Sequence, residues 1–232
     1  MSRLSDVVRF YEILAIAERQ YGGKRMLAEC DARMPWPKRG VYFFFEPGER
    51  RTDSGDELRV VRVGTHAVST GAKSTLWRRL SQHRGTKTGA GGNHRGSVFR
   101  LLVGAAMATR DQQLATPTWG KGQSAPKSIR EKEEDLEREV SRYIGRMPFL
   151  WVEADDTPSS ESARAYIERN AIALLSNVTT ATSKPIDPCS RAWLGLCCPS
   201  ENVRASGLWN SRCVAERYDP EFLNLLQAAA RK

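Results

Sequence analysis

Gly40-Val41-Tyr42-Phe43-Phe44-Phe45-Glu46 and, beyond a polar stretch, Leu58-Arg59-Val60-Val61-Arg62-Val63-Gly64-Thr65 decide the fold. Both runs are rich in aromatic and β-branched residues and are bounded by turn formers, the pattern of strands. Pro47-Gly48 through Asp56 is polar, so an antiparallel hairpin is the simplest arrangement. Upstream, Val7, Val8, Tyr11, Ile13, Leu14 and Ile16 give residues 4–19 the apolar side of a helix, which Gly22-Gly23 ends. Downstream, Ser74 reads as the N-cap of a helix with Leu76, Trp77 and Leu80 on its inner stripe. Residues 85–96 are a Gly-rich loop, 97–107 fit either a strand or a helix, and 110–128 read as loop. A charged helix is expected over about 128–144, a short strand from Pro148, a helix from about 158 to 176, and a last helix near 219–230. The expected class is α+β: a small antiparallel β-sheet flanked by helices. Residues 1–37 form a helical extension, 38–178 the main domain with loop insertions, and 179–232 an irregular extension packed on it.

The chain has 232 residues, 36 Lys and Arg against 27 Asp and Glu, and a net charge of +9. That excess points to a polyanionic partner. It is unevenly placed: residues 1–110 hold 20 basic and 10 acidic side chains, leaving 16 and 17 in the remainder. From Leu58 to Arg110 there is no acid in 53 residues, yet ten Lys or Arg and all three histidines fall there. Such a stretch suits a face that receives phosphates, which carboxylates would repel; the plain alternative is a basic surface with incidental histidines. No apolar run is long enough for a membrane span, no signal peptide is evident, and five cysteines do not form an even disulfide framework. A cytoplasmic protein without membrane association is expected.

Arg79 and His83 are spaced i,i+4 on the helix after the hairpin and share one face. Glu168 lies in AYIERNAIALLSN among Ala165, Ala171, Ile172 and Leu175. A carboxylate on an apolar face needs a partner or a metal. Together these features resemble the GIY-YIG nuclease superfamily over residues 38–178. Gly40-Val41-Tyr42 looks like the first half-motif. Arg62-Val63-Gly64 looks like the second, with Arg62 where the family has a tyrosine. Arg79 and His83 match the helix arginine and the His or Tyr one turn later, and Glu168 matches the metal-binding glutamate. Asn177 is the nearest counterpart of an asparagine that follows that glutamate, with Asn210 its rival. The segment between the half-motifs and the segment before Arg79 are both long; the second contains Lys73.

The resemblance implies a divalent-metal-dependent endonuclease acting on DNA, RNA not being excluded. Glu168 would hold Mg²⁺ (or Mn²⁺), Arg79 would neutralise the scissile phosphate, Arg62 is a further catalytic candidate pointing from its strand toward the site, and Tyr42 would orient or deprotonate the attacking water, directly or through His83. Lys73, Arg78, His94, Arg95, Asn177 and Asn210 are the further nucleic-acid-binding candidates. The absence of a separable DNA-binding module favours a restriction-like enzyme over a structure-selective repair nuclease, and cutting a duplex with one site per chain favours a homodimer on DNA. The rival class is a non-catalytic nucleic-acid-binding module, for which Arg62 is the best support; an RNA-processing or scaffold protein is the third. Each residue also has a plain reading: Tyr42 as strand packing, Arg79 and His83 as a solvated helix face, and Glu168 as an i,i+4 partner of Arg164. Cys189, Cys197, Cys198 and Cys213 lack the paired spacing of zinc modules and read as free thiols.

Overall fold

In the computed structural model, residues 2–86, 91–178 and 184–231 are described. The strands are β1 (Arg25–Met26), β2 (Gly40–Arg50), β3 (Leu58–Gly64) and β4 (Pro148–Glu153). They form one antiparallel sheet in the order β1-β4-β2-β3, so the anticipated hairpin β2–β3 occupies one side of it. Among the described residues eight α-helices flank the sheet: α1 (Arg3–Gln20), α2 (Leu76–Arg84), α3 (Val98–Arg110), α4 (Lys127–Lys132), α5 (Glu134–Gly145), α6 (Ala163–Leu175), α7 (Glu201–Ser206) and α8 (Phe222–Ala230). The α+β expectation holds.

Strand alternation divides the core in two. Val41, Phe43, Phe45, Leu150 and Val152 point into a core shared with α1, α6 and α8. Tyr42, Phe44, Phe149 and Trp151 point the opposite way, into a core shared with α2, α3 and α5. The sheet is thus covered on both faces, which accounts for continuous apolar runs where a half-exposed hairpin would alternate with polar residues.

Several boundaries differ from the sequence expectation for local reasons. Strand β2 runs on through Pro47-Gly48 to Arg50, with the register shifting between Phe45 and Arg50. The N-cap of α2 is Thr75, one residue after Ser74; its hydroxyl accepts the Arg78 N–H at 3.2 Å. The ambiguous apolar stretch is helix α3, capped by Ser97. The charged helix is broken at Glu133, whose carboxylate grips Arg95 at 2.6 and 2.8 Å, leaving α4 and α5. Helix α6 begins at Ala163, capped by Ser162, and the supposedly irregular tail contains α7.

The tail also closes the outer edge of β3, which would otherwise present unpaired backbone groups. Trp209 N–H donates to Val61 O at 2.6 Å. Asn210 then imitates a strand residue: Val63 N–H donates to its Oδ1 at 3.1 Å and its Nδ2 donates to Val63 O at 2.9 Å. Glu46 fastens this segment from the sheet side, accepting from the indole N–H groups of Trp193 (3.0 Å) and Trp209 (3.1 Å) and from the Tyr143 hydroxyl. Burial raises the Glu46 carboxyl above its usual range against these three donors. Among the described residues no helix is long and apolar enough to cross a membrane.

Candidate active site

Both half-motif glycines have a steric cause. A Cβ on Gly40 would lie 2.5 Å from Val152 O, and one on Gly64 would lie 2.3 Å from the Tyr42 hydroxyl oxygen. Gly64 is paired with Tyr42 across the hairpin, and its missing side chain is the space the phenol fills. A β-bulge follows: Phe44 pairs with Arg62 but Phe45 pairs with Val60, so Val61 is the extra residue. Bulges re-aim neighbouring side chains, and Arg62 sits beside this one.

Tyr42, His83 and Ser97 form a buried chain. Tyr42 Oη is 2.7 Å from His83 Nε2, and His83 Nδ1 is 2.7 Å from Ser97 Oγ. Tyr42 and His83 are each fully enclosed. Burial, followed by the charges of Arg79, Arg62 and Arg100, pulls His83 well below the usual histidine range, so the ring is neutral at pH 7.

Beside this chain a cleft of about 470 Å³ is lined by Arg62, Thr65, Arg79, Val98, Glu168 and Asn210, with Val68, Ile172 and residues 211–213 completing the wall. Thr65 positions the carboxylate: its N–H donates to Glu168 Oε1 at 3.0 Å, while its hydroxyl donates to Gly40 O at 2.8 Å. Among the described residues no cation lies within 4.0 Å of Glu168. Arg164 does not pair with it; Arg164 Nε bonds Asp156 Oδ1 at 2.6 Å, and its other nitrogens hold the carbonyls of His66 and Ala67. Burial raises Glu168 above the usual carboxylate range, against the lowering effect of Arg62, the Thr65 N–H, Arg79 and Arg164.

Arg62 is 6% exposed, donates to Trp209 O through Nη1, and stacks its guanidinium 4.9 Å from the Phe99 ring centre. Arg79 donates through Nη1 to Gly96 O (3.2 Å) and Gln82 Oε1 (3.3 Å). The Nε atoms of both arginines are buried and lack a hydrogen-bond partner, as do those of Arg51 and Arg84.

The other sequence candidates separate into two groups. Asn210 lines the cleft, and Lys73 and Arg78 are exposed near the start of α2. His94 is buried: Nδ1 bonds Glu137 Oε1 at 3.0 Å, Nε2 accepts the Gly120 N–H at 3.1 Å, and the ring stacks 3.9 Å from Trp119. Arg95 is paired with Glu133. Asn177 bonds the backbone of Ile186 in both directions, outside the cleft lining. Thr65, Ser97 and the carbonyl of Trp209 escaped the sequence reading. Thr65 had a signal, since it directly follows the second half-motif; Ser97 and Trp209 are brought to the site by tertiary contacts alone.

Among the described residues no group of three or more His, Cys, Asp or Glu side chains is placed to hold a metal. A family model described as a GIY-YIG domain matches residues 1–232. No curated protein and no solved structure matches the chain.

Proposed function

The chain belongs to the GIY-YIG family, a nuclease-type family, and on that premise we propose that it is a divalent-metal-dependent, restriction-like endonuclease that hydrolyses phosphodiester bonds in DNA. The observation that carries this reading is the meeting of Glu168, free of any ion pair among the described residues, with Arg62 and Arg79 in one cleft. A purely structural glutamate in such a place would be expected to take one of these guanidinium groups as its partner.

Mg²⁺ is commonly held by one or two carboxylates together with substrate phosphate and water. The donor set fits that mode: Glu168 is the carboxylate on the cleft wall, and its raised pKa marks a site that gains by receiving positive charge. Mg²⁺ or Mn²⁺ bound there would neutralise charge on the phosphoryl group and acidify a water.

The protein's own groups supply the remainder. Arg62 and Arg79, which line the cleft, would bind the non-bridging phosphate oxygens through guanidinium N–H donors. Tyr42 would orient the attacking water, whose proton would pass to solvent. His83 is a poor proton acceptor because burial and three arginines keep it neutral. It would serve better as a donor: with Ser97 O–H donating to Nδ1, His83 Nε2–H would donate to the Tyr42 oxygen and hold it in place. Tyr42 is fully enclosed in this state, so water reaches it only when the cleft wall yields. Arg62, coupled electrostatically to Tyr42, is the side chain whose movement toward a phosphate would open that path. Cleavage of both strands would require two copies of the single cleft, hence a homodimer on DNA.

The test incubates the protein with duplex, branched and single-stranded DNA and with RNA, in Mg²⁺, Mn²⁺ or EDTA, alongside Glu168→Gln. Metal-dependent cleavage lost in the variant supports the proposal, and the preferred substrate separates restriction-like from structure-selective action. Cleavage that survives Glu168→Gln removes the carboxylate from its role. Binding without cleavage on every substrate favours the non-catalytic module, to which Arg62 and the enclosed Tyr42 lend their support.

A further inference from the structure

The cleft has an inner and an outer part. Inside, Arg62, Thr65 and Asn210 are buried and already bonded to neighbouring chain segments. At the rim lie two exposed side chains, Val98, which is 47% exposed, and Arg212. Among the described residues Arg212 makes no ion pair and no hydrogen bond. Most other cations near the site are engaged: Arg95 by Glu133, Arg100 by Glu137, and Arg164 by Asp156.

The backbone that carries Arg212 is nevertheless fixed. Asn210, two residues before it, is locked to Val63 by two hydrogen bonds, and Trp209 is locked to Val61. Cys213, directly after it, adopts the left-handed conformation at φ 61°, which a non-glycine residue takes up only when its surroundings impose it. A free cation on a constrained backbone, at the rim of a cleft whose floor already holds two arginines, is suited to an anion that extends beyond the floor.

The size of the cleft is informative. At about 470 Å³ it has the volume of a small-molecule site, enough for one phosphodiester with part of its sugars. A polynucleotide that places one phosphate on the floor must carry the adjacent phosphates over the rim. We propose that Arg212 binds the phosphate next to the scissile one, so that the tail segment forms the second wall of the nucleic-acid site. This rests on the nuclease reading for which phosphate is scissile; the contact itself requires only that a nucleic acid occupies the cleft. Val98, at the same rim, offers an apolar surface to the sugar between the two phosphates.

The experiment measures binding of a short fluorescent DNA duplex in EDTA over a range of salt, together with cleavage kinetics in Mg²⁺. It uses Arg212→Gln, Arg212→Lys, and Arg19→Gln as a control that removes the same charge from an exposed position on α1 outside the cleft lining. Loss of one phosphate contact should lower the slope of log affinity against log salt by about 0.9 and weaken binding about tenfold near 0.1 M salt. Arg212→Gln should raise KM more than it lowers kcat, Arg212→Lys should restore most of the affinity, and Arg19→Gln should leave the slope in place. Equal effects of Arg212→Gln and Arg19→Gln, or an Arg212→Gln slope equal to that of the unaltered protein, would overturn the assignment. If no substrate is cleaved but the slope still falls in Arg212→Gln alone, the nuclease reading fails and the Arg212 contact stands.

Discussion

Replacing Gly64 by alanine tests the geometry of the site with a single methyl group. The added Cβ would lie 2.3 Å from Tyr42 Oη, 2.4 Å from Cζ and 2.6 Å from Cε2. Carbon atoms are at ease near 3.5–4.0 Å, so about an ångström of displacement is needed. Tyr42 has no free volume for it: the ring is fully enclosed, edge-on to Phe44 at 5.7 Å and to His83 at 5.4 Å. Overpacking of this kind costs about 1–3 kcal/mol. In a domain of this size that lowers Tm by roughly 2–4 °C per kcal/mol. The loss of activity should be larger in proportion, because the same displacement breaks the 2.7 Å contact between Tyr42 and His83. A misplacement of about an ångström in a reacting group can reduce a rate about a hundredfold. Adding Tyr42→Phe should not restore stability, since the ring carbons clash as well as the oxygen. Gly96→Ala is the matched control, because a Cβ there would meet nothing within 4 Å and the Gly96 carbonyl would still receive Arg79. Thermal unfolding and single-turnover cleavage of the three variants read both effects. A Gly64→Ala protein with unchanged Tm and rate would refute the claim that the second half-motif glycine exists to seat the phenol.

Glu46→Gln should lower stability by about 1–3 kcal/mol, because an amide can no longer accept from Trp193, Trp209 and Tyr143 together; denaturation followed by tryptophan fluorescence measures it, and an unchanged midpoint counts against the clamp. Glu137→Ala should be more damaging, about 3–5 kcal/mol, since it strands buried Arg100 and removes the partner of His94; urea unfolding reads the loss. Acid should destabilise the fold in two stages. His66, lowered to about 4 by burial and by Arg164, and His83, held well below the usual range by burial and by Arg79, stay neutral when folded but bind protons when unfolded below about pH 6.5. Stability should therefore fall by up to about 1.4 kcal/mol per pH unit for each histidine below that point. In Glu133 and Glu137 burial alone would raise the carboxyls, but Arg95, and His94 with Arg100, hold them below the usual range, so their contribution disappears below about pH 4.3. Glu46 and Glu168, raised by burial, act in the opposite sense and soften the second stage. A stability curve flat from pH 7 to 5 would contradict the neutral histidines.

The hairpin, its two glycines and the Arg79-His83 helix were legible in the sequence because each depends on local spacing. Gly40 and Gly64 leave a trace in sequence because no other residue fits their positions. Glu168 was legible as a carboxylate among alanines and leucines, though the rejection of Arg164 as its partner was not, because Asp156 is what claims that arginine. The break at Glu133 was invisible for the same reason: a helical charge pattern continues through it, and only Arg95, 38 residues away, redirects its carboxylate. The role of Asn210 had no local sign at all, since an asparagine that replaces a strand partner can be recognised only when the strand edge beside it is known.

The acid-free stretch is where sequence and structure together say more than either alone. Read along the chain it is a cationic wall of ten Lys and Arg. In the fold, acids from outside the stretch occupy it selectively. Glu49 holds Arg59, Glu133 holds Arg95 and Glu137 holds Arg100, each in a buried pair. Arg84 donates to the Cys30 carbonyl and covers the Trp77 face, and Lys87 lies outside the described residues. Arg62 and Arg79 retain unpartnered donors and line the cleft, while Lys73 and Arg78 are exposed near the start of α2. The charge excess therefore does two separate jobs. Three arginines serve as internal braces whose removal should unfold the protein without informing on its ligand. Two face Glu168; removal of either should change what the cleft binds, Arg79 with most of the fold in place and Arg62 at some further cost in stability through its Trp209 and Phe99 contacts. A charge-neutralising scan should thus divide into stability losses at Arg59, Arg95 and Arg100 and affinity losses at Arg62 and Arg79. A uniform loss of affinity across all five would mean that the wall acts as a single surface after all.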